Sequence, residues 1–257
     1  EKKLKGGFFS NLTTSKSERI DAASELYKEA AKNYKLAKRW ETAAAAFIKA
    51  AEVENQKKED SDAGDCYEEA ANMYRKTNTA EAAKLFKKAV ECFYSNGRVS
   101  QAARLTKTIG EIYEGDKQYS LAAQAYDEAI EYYQMDGEYS TNCSQLMLKS
   151  CELKMLADEV TDYGAIIKTY ETVAEKYLEN KLTAPSARDP FFRCCLLHLA
   201  NNDTVGAETA VDKYTNMDPS FGNTREAKFV RGLIQAIEAK SVQDFSDQCS
   251  DFNKVIS

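Results

Sequence analysis

The sequence predicts an all-α protein: a right-handed solenoid of helical hairpins of about 40 residues, closed by a C-terminal helical bundle. Three observations predict it. A phrase of small residues, an aromatic and further small or apolar residues recurs along the chain, with apolar positions at helical spacing. Its landmarks fall at Tyr27, Phe47, Tyr67, Phe86, Thr106, Tyr126 and Leu146, in steps of 19 or 20 residues. Only 3 prolines and 11 glycines interrupt 257 residues rich in Ala, Glu, Lys, Leu and Tyr, which favour helix.

The elements follow in order. "AASELYKEAAKNY" runs from Ala22 to Tyr34 as a first helix. "AAAAFIKAAEV" sets Ala43 and Ala44 before Phe47, with Ala50 and Ala51 after it. "DAGDCYEEAANMY" repeats the pattern with Ala63, Gly64, Tyr67, Ala70, Ala71 and Tyr74. "AEAAKLFKKAVECF" and "LAAQAYDEAIEYY" repeat it around Phe86 and Tyr126. Each step holds one helix and its turn, so two steps make a hairpin. This resembles the tetratricopeptide repeat with longer helices, since that unit is about 34 residues. Small residues let helices approach closely, and the aromatics fill the space beside them. "SNGR" at 95–98, "EGDK" at 114–117 and "DGE" at 136–138 read as turns. Beyond 180 the rhythm changes, and Pro185 and Pro190 break the helix. The reading is a sheet of helical hairpins over 1–180, with an apolar loop at 6–15, and a helical bundle over 181–257.

Composition narrows the function. The net charge of −6 argues against nucleic acid as a general partner. No run of about 18 apolar residues occurs, so no transmembrane helix is expected, nor is a signal peptide. The seven cysteines (66, 92, 143, 151, 194, 195 and 249) form no Cys-x-x-Cys pair and read as free, mostly buried thiols of a reducing compartment. Adjacent Cys194 and Cys195 point about 100° apart on a helix and cannot share a metal. His198, the single histidine, reads as a half-buried helix residue. No phosphate-binding glycine motif is present. No catalytic residue, cofactor or metal site is expected.

The cations are more informative. Lys38, Arg39, Arg75, Lys76, Arg98, Arg104, Arg188, Arg193 and Arg225 lie at or near turns. Taken singly, each serves solubility or compensates a helix dipole. In a solenoid the turns of one edge align, and the same residues then form a basic stripe.

The order of several segments carries a further resemblance. "YKLAKRWETAAAAFIKAAEV", "DAGDCYEEAANMYRK", "NGRVSQAA" followed by "IGEIYE", "AIEYYQMDGE", "SARDPFFRCCLLHLA" and "REAKFVRGLIQAIEA" follow the early "FFS" in this order. Together they resemble the soluble NSF attachment proteins of the α type. The resemblance implies a non-enzymatic adaptor, cytoplasmic and peripheral to the membrane. It is a monomer when free, and several copies coat an acidic four-helix SNARE bundle and link it to the ATPase NSF. It implies SNARE-facing roles for Lys38, Arg98 and Arg104, with Lys149, Arg188, Arg193 and Arg225 as additions. Where the family carries a contact lysine, this chain has Gln145. Measured against the family pattern, part of the first helix before Glu1 and a Trp-containing tail after Ser257 are missing. The alternatives are a general tetratricopeptide peptide-binding scaffold and a γ-type relative; an enzyme is the remote one.

Phe8 and Phe9 follow Gly6 and Gly7 near Lys2, Lys3, Lys5 and Lys16. They suit a membrane surface, with rings entering the bilayer and lysines facing anionic headgroups, and the resemblance implies that contact. The alternative is a staple in which the rings fold onto the first hairpin near Ile20 or Leu26.

Overall fold

The computed structural model describes residues 15–56, 62–135, 141–157 and 162–254. Among these the regular elements are twelve α-helices and two short 3-10 turns, with no strand. The chain divides into two compact units, Glu1–Leu146 and Met147–Ser257.

The first unit contains α1 (Lys16–Leu36), α2 (Trp40–Glu54), α3 (Ala63–Tyr74), α4 (Thr79–Ser95), α5 (Val99–Gly115) and α6 (Tyr119–Met135), each packed on the next. The recurring phrase is its core. Ala43, Ala44, Ala50, Ala51, Ala70, Ala71, Ala82, Ala89, Ala102, Ala122 and Ala129 have no exposed surface, and Phe47, Tyr67, Phe86, Phe93 and Tyr126 are buried beside them. Two glycines mark the tightest approaches. A Cβ on Gly64 would stand 2.8 Å from the Phe93 ring, and one on Gly110 would stand 2.6 Å from the Tyr126 ring. The aromatic of one helix thus lies directly on the backbone of the helix before it.

One turn design recurs. Between α1 and α2, the Lys38 N–H donates to the Lys35 carbonyl at 3.0 Å and the Arg39 N–H to the Tyr34 carbonyl at 2.9 Å. This is the Schellman pairing that satisfies the last carbonyls of a helix. Gly97 and Arg98 repeat it on Tyr94 and Phe93; Lys117 and Gln118 repeat it on Glu114 and Tyr113. The same pairing recurs in the second unit, where the Asn202 and Asp203 N–H groups donate to Leu199 and His198 and those of Lys240 and Ser241 to Ile237 and Ala236. The central residue must be left-handed, and φ is +55° at Lys38, +72° at Gly97 and +58° at Lys117. "SNGR" is therefore a turn as read. The turn read at 114–117 has its left-handed position at Lys117, and the one read at 136–138 lies outside the described residues.

The second unit contains α8 (Tyr163–Leu178), α9 (Arg188–Ala200), α10 (Thr204–Met217), α11 (Arg225–Glu238) and α12 (Val242–Lys254); α7 (Thr141–Leu156) runs across the division. Its core centres on Tyr170, Phe191, Tyr214 and Phe221, all fully buried. Phe191 stacks on Tyr214 at 4.3 Å and meets Phe221 edge-on at 5.6 Å. Pro185 lies in the 3-10 turn Ala184–Ala187, and Pro190 in the first turn of α9, where no backbone donor is lost. The break in repeat rhythm at 180 and the division between compact units differ, because α8 packs on α9. None of the seven cysteines is in a disulfide, and five of them (66, 143, 151, 194 and 195) are buried.

Two substitutions should move stability in opposite directions. Gly110→Ala forces the Tyr126 ring off its seat and should cost about 1–3 kcal/mol. Lys117→Gly relieves a left-handed L-residue and should add about 0.5–1 kcal/mol. Urea denaturation reads both; equal signs would contradict this packing and turn geometry.

Candidate functional site

The first unit presents a charged face built across its odd-numbered helices. The Schellman turn after α4 places Arg98 at the N-cap of α5, with its guanidinium 4.4 Å over the Phe93 ring. From there it donates from Nη1 to Asp65 Oδ2 at 2.8 Å and from Nη2 to Asp65 Oδ1 at 3.0 Å, while Nε donates to Gln101. Farther along α5, Arg104 Nη2 reaches both carboxylate oxygens of Glu68 at 2.9 Å. On the other flank of α3, Lys35 of α1 donates to Glu69 at 2.9 Å. Asp65, Glu68 and Glu69 stand at i, i+3 and i+4, so they share one side of α3. These pairs join residues 33 to 36 positions apart and bridge α1, α3 and α5, which lie side by side. Tyr94 of α4 meets Tyr132 of α6 at 5.3 Å in the layer behind.

A groove of about 210 Å³ continues this face, lined by Lys28, Lys32, Lys35, Phe47, Asp65 and Glu69 among others. Lys28 is largely buried and holds Glu25 at 3.2 Å, Glu54 at 3.4 Å and Asp62 at 3.6 Å. Burial opposes its charge, yet Glu25 and Glu54 are among the groups that keep its pKa above the ordinary value. The bond to Asp65 leads the causes that raise the Arg98 pKa. Burial pushes the neighbouring Cys66 thiol up to about 12, so it stays protonated. Chemically the face is a ladder of partly exposed ion pairs. It suits recognition of an anionic protein surface.

Arg98 and Arg104 are thus brought together on one face. Lys38 sits at the left-handed position between α1 and α2, with its side chain exposed. The other sequence-derived cations lie in the second unit. Lys149 stands 4.0 Å from Glu152. Arg193 bridges Glu152 at 3.0 Å and Asp189 at 2.7 Å. Arg188 donates to Ser220 Oγ at 2.9 Å, and its Nε lies 3.9 Å from Asp218. Arg225 lies 4.2 Å over the Phe252 ring, which itself stacks on Phe229 at 4.2 Å. Because α12 buries no residue of its own, this sandwich is a main attachment of α12 to α11. Phe8 and Phe9 lie outside the described residues. The sequence reading missed Lys28, Lys32 and Lys35, whose i, i+4, i+7 spacing on α1 was the available signal.

Groups that could suggest chemistry are held in structural roles. His198 Nδ1 lies 3.0 Å from Asp203 Oδ2, and Asp203 caps α10 through the Gly206 N–H. Glu171 accepts from Lys213 Nζ and from the Tyr214 hydroxyl, both at 2.7 Å. Among the described residues no group of three His, Cys, Asp or Glu is placed to hold a metal.

The family model described as "Soluble NSF attachment protein, SNAP" matches residues 1–257. The alpha-soluble NSF attachment protein of Homo sapiens is 31% identical over 257 residues, covering 99% of this chain and 85% of that protein. The probable vesicular-fusion protein sec17 homolog of Schizosaccharomyces pombe is 32% identical over 237 residues, covering 92% of this chain and 81% of that protein. Among solved structures, a putative kinesin light chain with nearly identical TPR-like repeats from Podosopora anserina covers 79% of this chain and 99% of its own, at 12% identity and a TM-score of 0.46.

Glu171 supplies a pH test. Burial opposes its ionisation, but the bonds from Lys213 and Tyr214 outweigh this and hold its carboxyl below the ordinary value of 4.5. A depressed folded-state pKa gives stability that is present above about pH 4.5 and lost as pH falls through the folded value. Glu171→Gln should lower stability at pH 7 by about 1–2 kcal/mol. Melting curves from pH 3 to 7 should show a smaller loss on acidification in the variant than in the wild type; an equal loss would contradict the assignment.

Proposed function

The chain belongs to the soluble NSF attachment protein family, and on that premise we propose that it is an adaptor, not an enzyme: it grips an assembled four-helix SNARE bundle and links it to the ATPase NSF for disassembly in membrane fusion. The observation that carries this reading is the pair of arginines, Arg98 and Arg104, held on one face of the repeat unit. An acidic bundle offers carboxylates to such a face, and the guanidinium fork matches them. Lys38 extends the contact on this unit; Lys149, Arg188, Arg193 and Arg225 form a second group on the other. The sites are dispersed, and exposed ion pairs are worth about 0.2–1 kcal/mol each. Several copies around one bundle, each weakly held, then give a firm grip by effective concentration. The free protein is a monomer, and nucleic acid is not a partner.

Among the described residues no helix is long and apolar enough to cross a membrane. The membrane contact belongs to Phe8 and Phe9, which makes the protein cytoplasmic and peripheral. Burying each ring yields roughly 1.5–3 kcal/mol, too little to anchor the protein alone but enough to assist once the bundle is held.

Two experiments test this. Arg98→Glu with Arg104→Glu should weaken binding of assembled SNARE bundle about tenfold or more at low salt, with an unchanged far-ultraviolet helix signal, and added salt should weaken the wild type. Normal binding by the double variant would overturn the assigned face. Phe8→Ser with Phe9→Ser, in the full-length protein with NSF, should slow disassembly of membrane-anchored SNARE complexes and spare soluble ones. Equal loss on both would make the phenylalanines a folding staple.

A further inference from the structure

The two arginines of this face are already paired. Arg98 spends both terminal nitrogens on Asp65, and Arg104 spends Nη2 on both oxygens of Glu68. Both pairs cross from α5 to α3, and neither is deeply buried: the Arg98 and Asp65 side chains are 34% and 49% exposed, those of Arg104 and Glu68 53% and 19%. We propose that Asp65 and Glu68 are specificity-determining residues: they hold Arg98 and Arg104 in the free protein, so that an acidic partner binds only when its own carboxylates replace both.

The inference deepens the adaptor reading and rests on it. A diffuse polyanion meets a face whose positive charge is locally cancelled, and long-range attraction is small beyond a Debye length. A partner with carboxylates at the spacing of the two arginines exchanges pair for pair. Asp65, once displaced, has other cations at hand, since it shares the groove with Lys28, Lys32 and Lys35. Phe93 under Arg98 keeps that guanidinium in place while its carboxylate changes. Repulsion between incoming and resident carboxylates supplies the discrimination.

The test is Asp65→Asn with Glu68→Gln, measured against assembled SNARE bundle and against heparin at one salt concentration. The double variant should bind the bundle about threefold to tenfold more tightly, on the scale of two exposed ion pairs. Heparin binding should rise by a larger factor, so that the preference for the bundle narrows. Glu81→Gln with Glu91→Gln removes the same charge from α4 and should change neither by more than about twofold. Unchanged or weaker bundle binding by the α3 variant would overturn the inference and make the carboxylates supports for the arginines. An equal gain in the α4 variant would overturn it as a net-charge effect. Should the double variant not fold, each single change is expected to give about half of the logarithmic gain, with the same outcomes decisive. A wild type that ignores the bundle at low salt would overturn the adaptor reading and this inference with it.

Discussion

The close approach of successive helices in the first unit is the constraint on which its other features depend. Alanines with no exposed surface line the contacts, and the Phe93 and Tyr126 rings sit on the backbone at Gly64 and Gly110. A helix that approaches so closely has little freedom to slide, because interiors are packed to near-crystalline density. Turns of one design follow α1, α4 and α5 and return the chain after each of those helices. The odd-numbered helices come to lie side by side, and residues 33 to 36 apart meet across them. The charged face is therefore a consequence of core packing, and a change at a buried glycine would reach it.

That face resolves a conflict in the composition. For the proposed acidic partner, a chain with net charge −6 needs a face that is not repelled by it. The carboxylates of α3 are set against cations from α1 and α5, so the local field is weak while the fold is free. In the proposed mode, binding proceeds by exchange of partners, which favours matched surfaces over merely anionic ones. The second unit uses its cations differently. Arg193 and Arg225 are tied into its internal packing, one between Glu152 and Asp189 and the other over Phe252. Their role in an interface would have to coexist with that structural one.

Much of this was legible in the sequence because it is local. The helical spacing of Ala43, Ala44, Phe47, Ala50 and Ala51 names its own buried face, and "SNGR" names a turn. Other turns were harder, since the left-handed position is filled by lysine at 38, 117 and 240, where the expected signal is glycine. The cations could be marked one by one from their place at turns. Their partners could not, because Arg98 and Asp65 are 33 residues apart and meet only through packing. The lysines of α1 form a stripe that begins at Lys28, away from any turn, and reaches the last turn only at Lys35. The stacking of Arg225 on Phe252 likewise depends on how α12 lies against α11, which no spacing within either helix discloses. Membership of α8 in the second unit follows from its contact with α9 and not from the repeat rhythm.

We propose that the layer of α1, α3 and α5 meets the SNARE bundle while the layer behind it stays in solvent. Lysine acetylation footprinting with and without assembled bundle tests it most directly. The account predicts that bound bundle protects Lys32 and Lys35 on α1, while Lys84 on α4 reacts as in the free protein. Protection of Lys84 with Lys32 and Lys35 still fully reactive would contradict it.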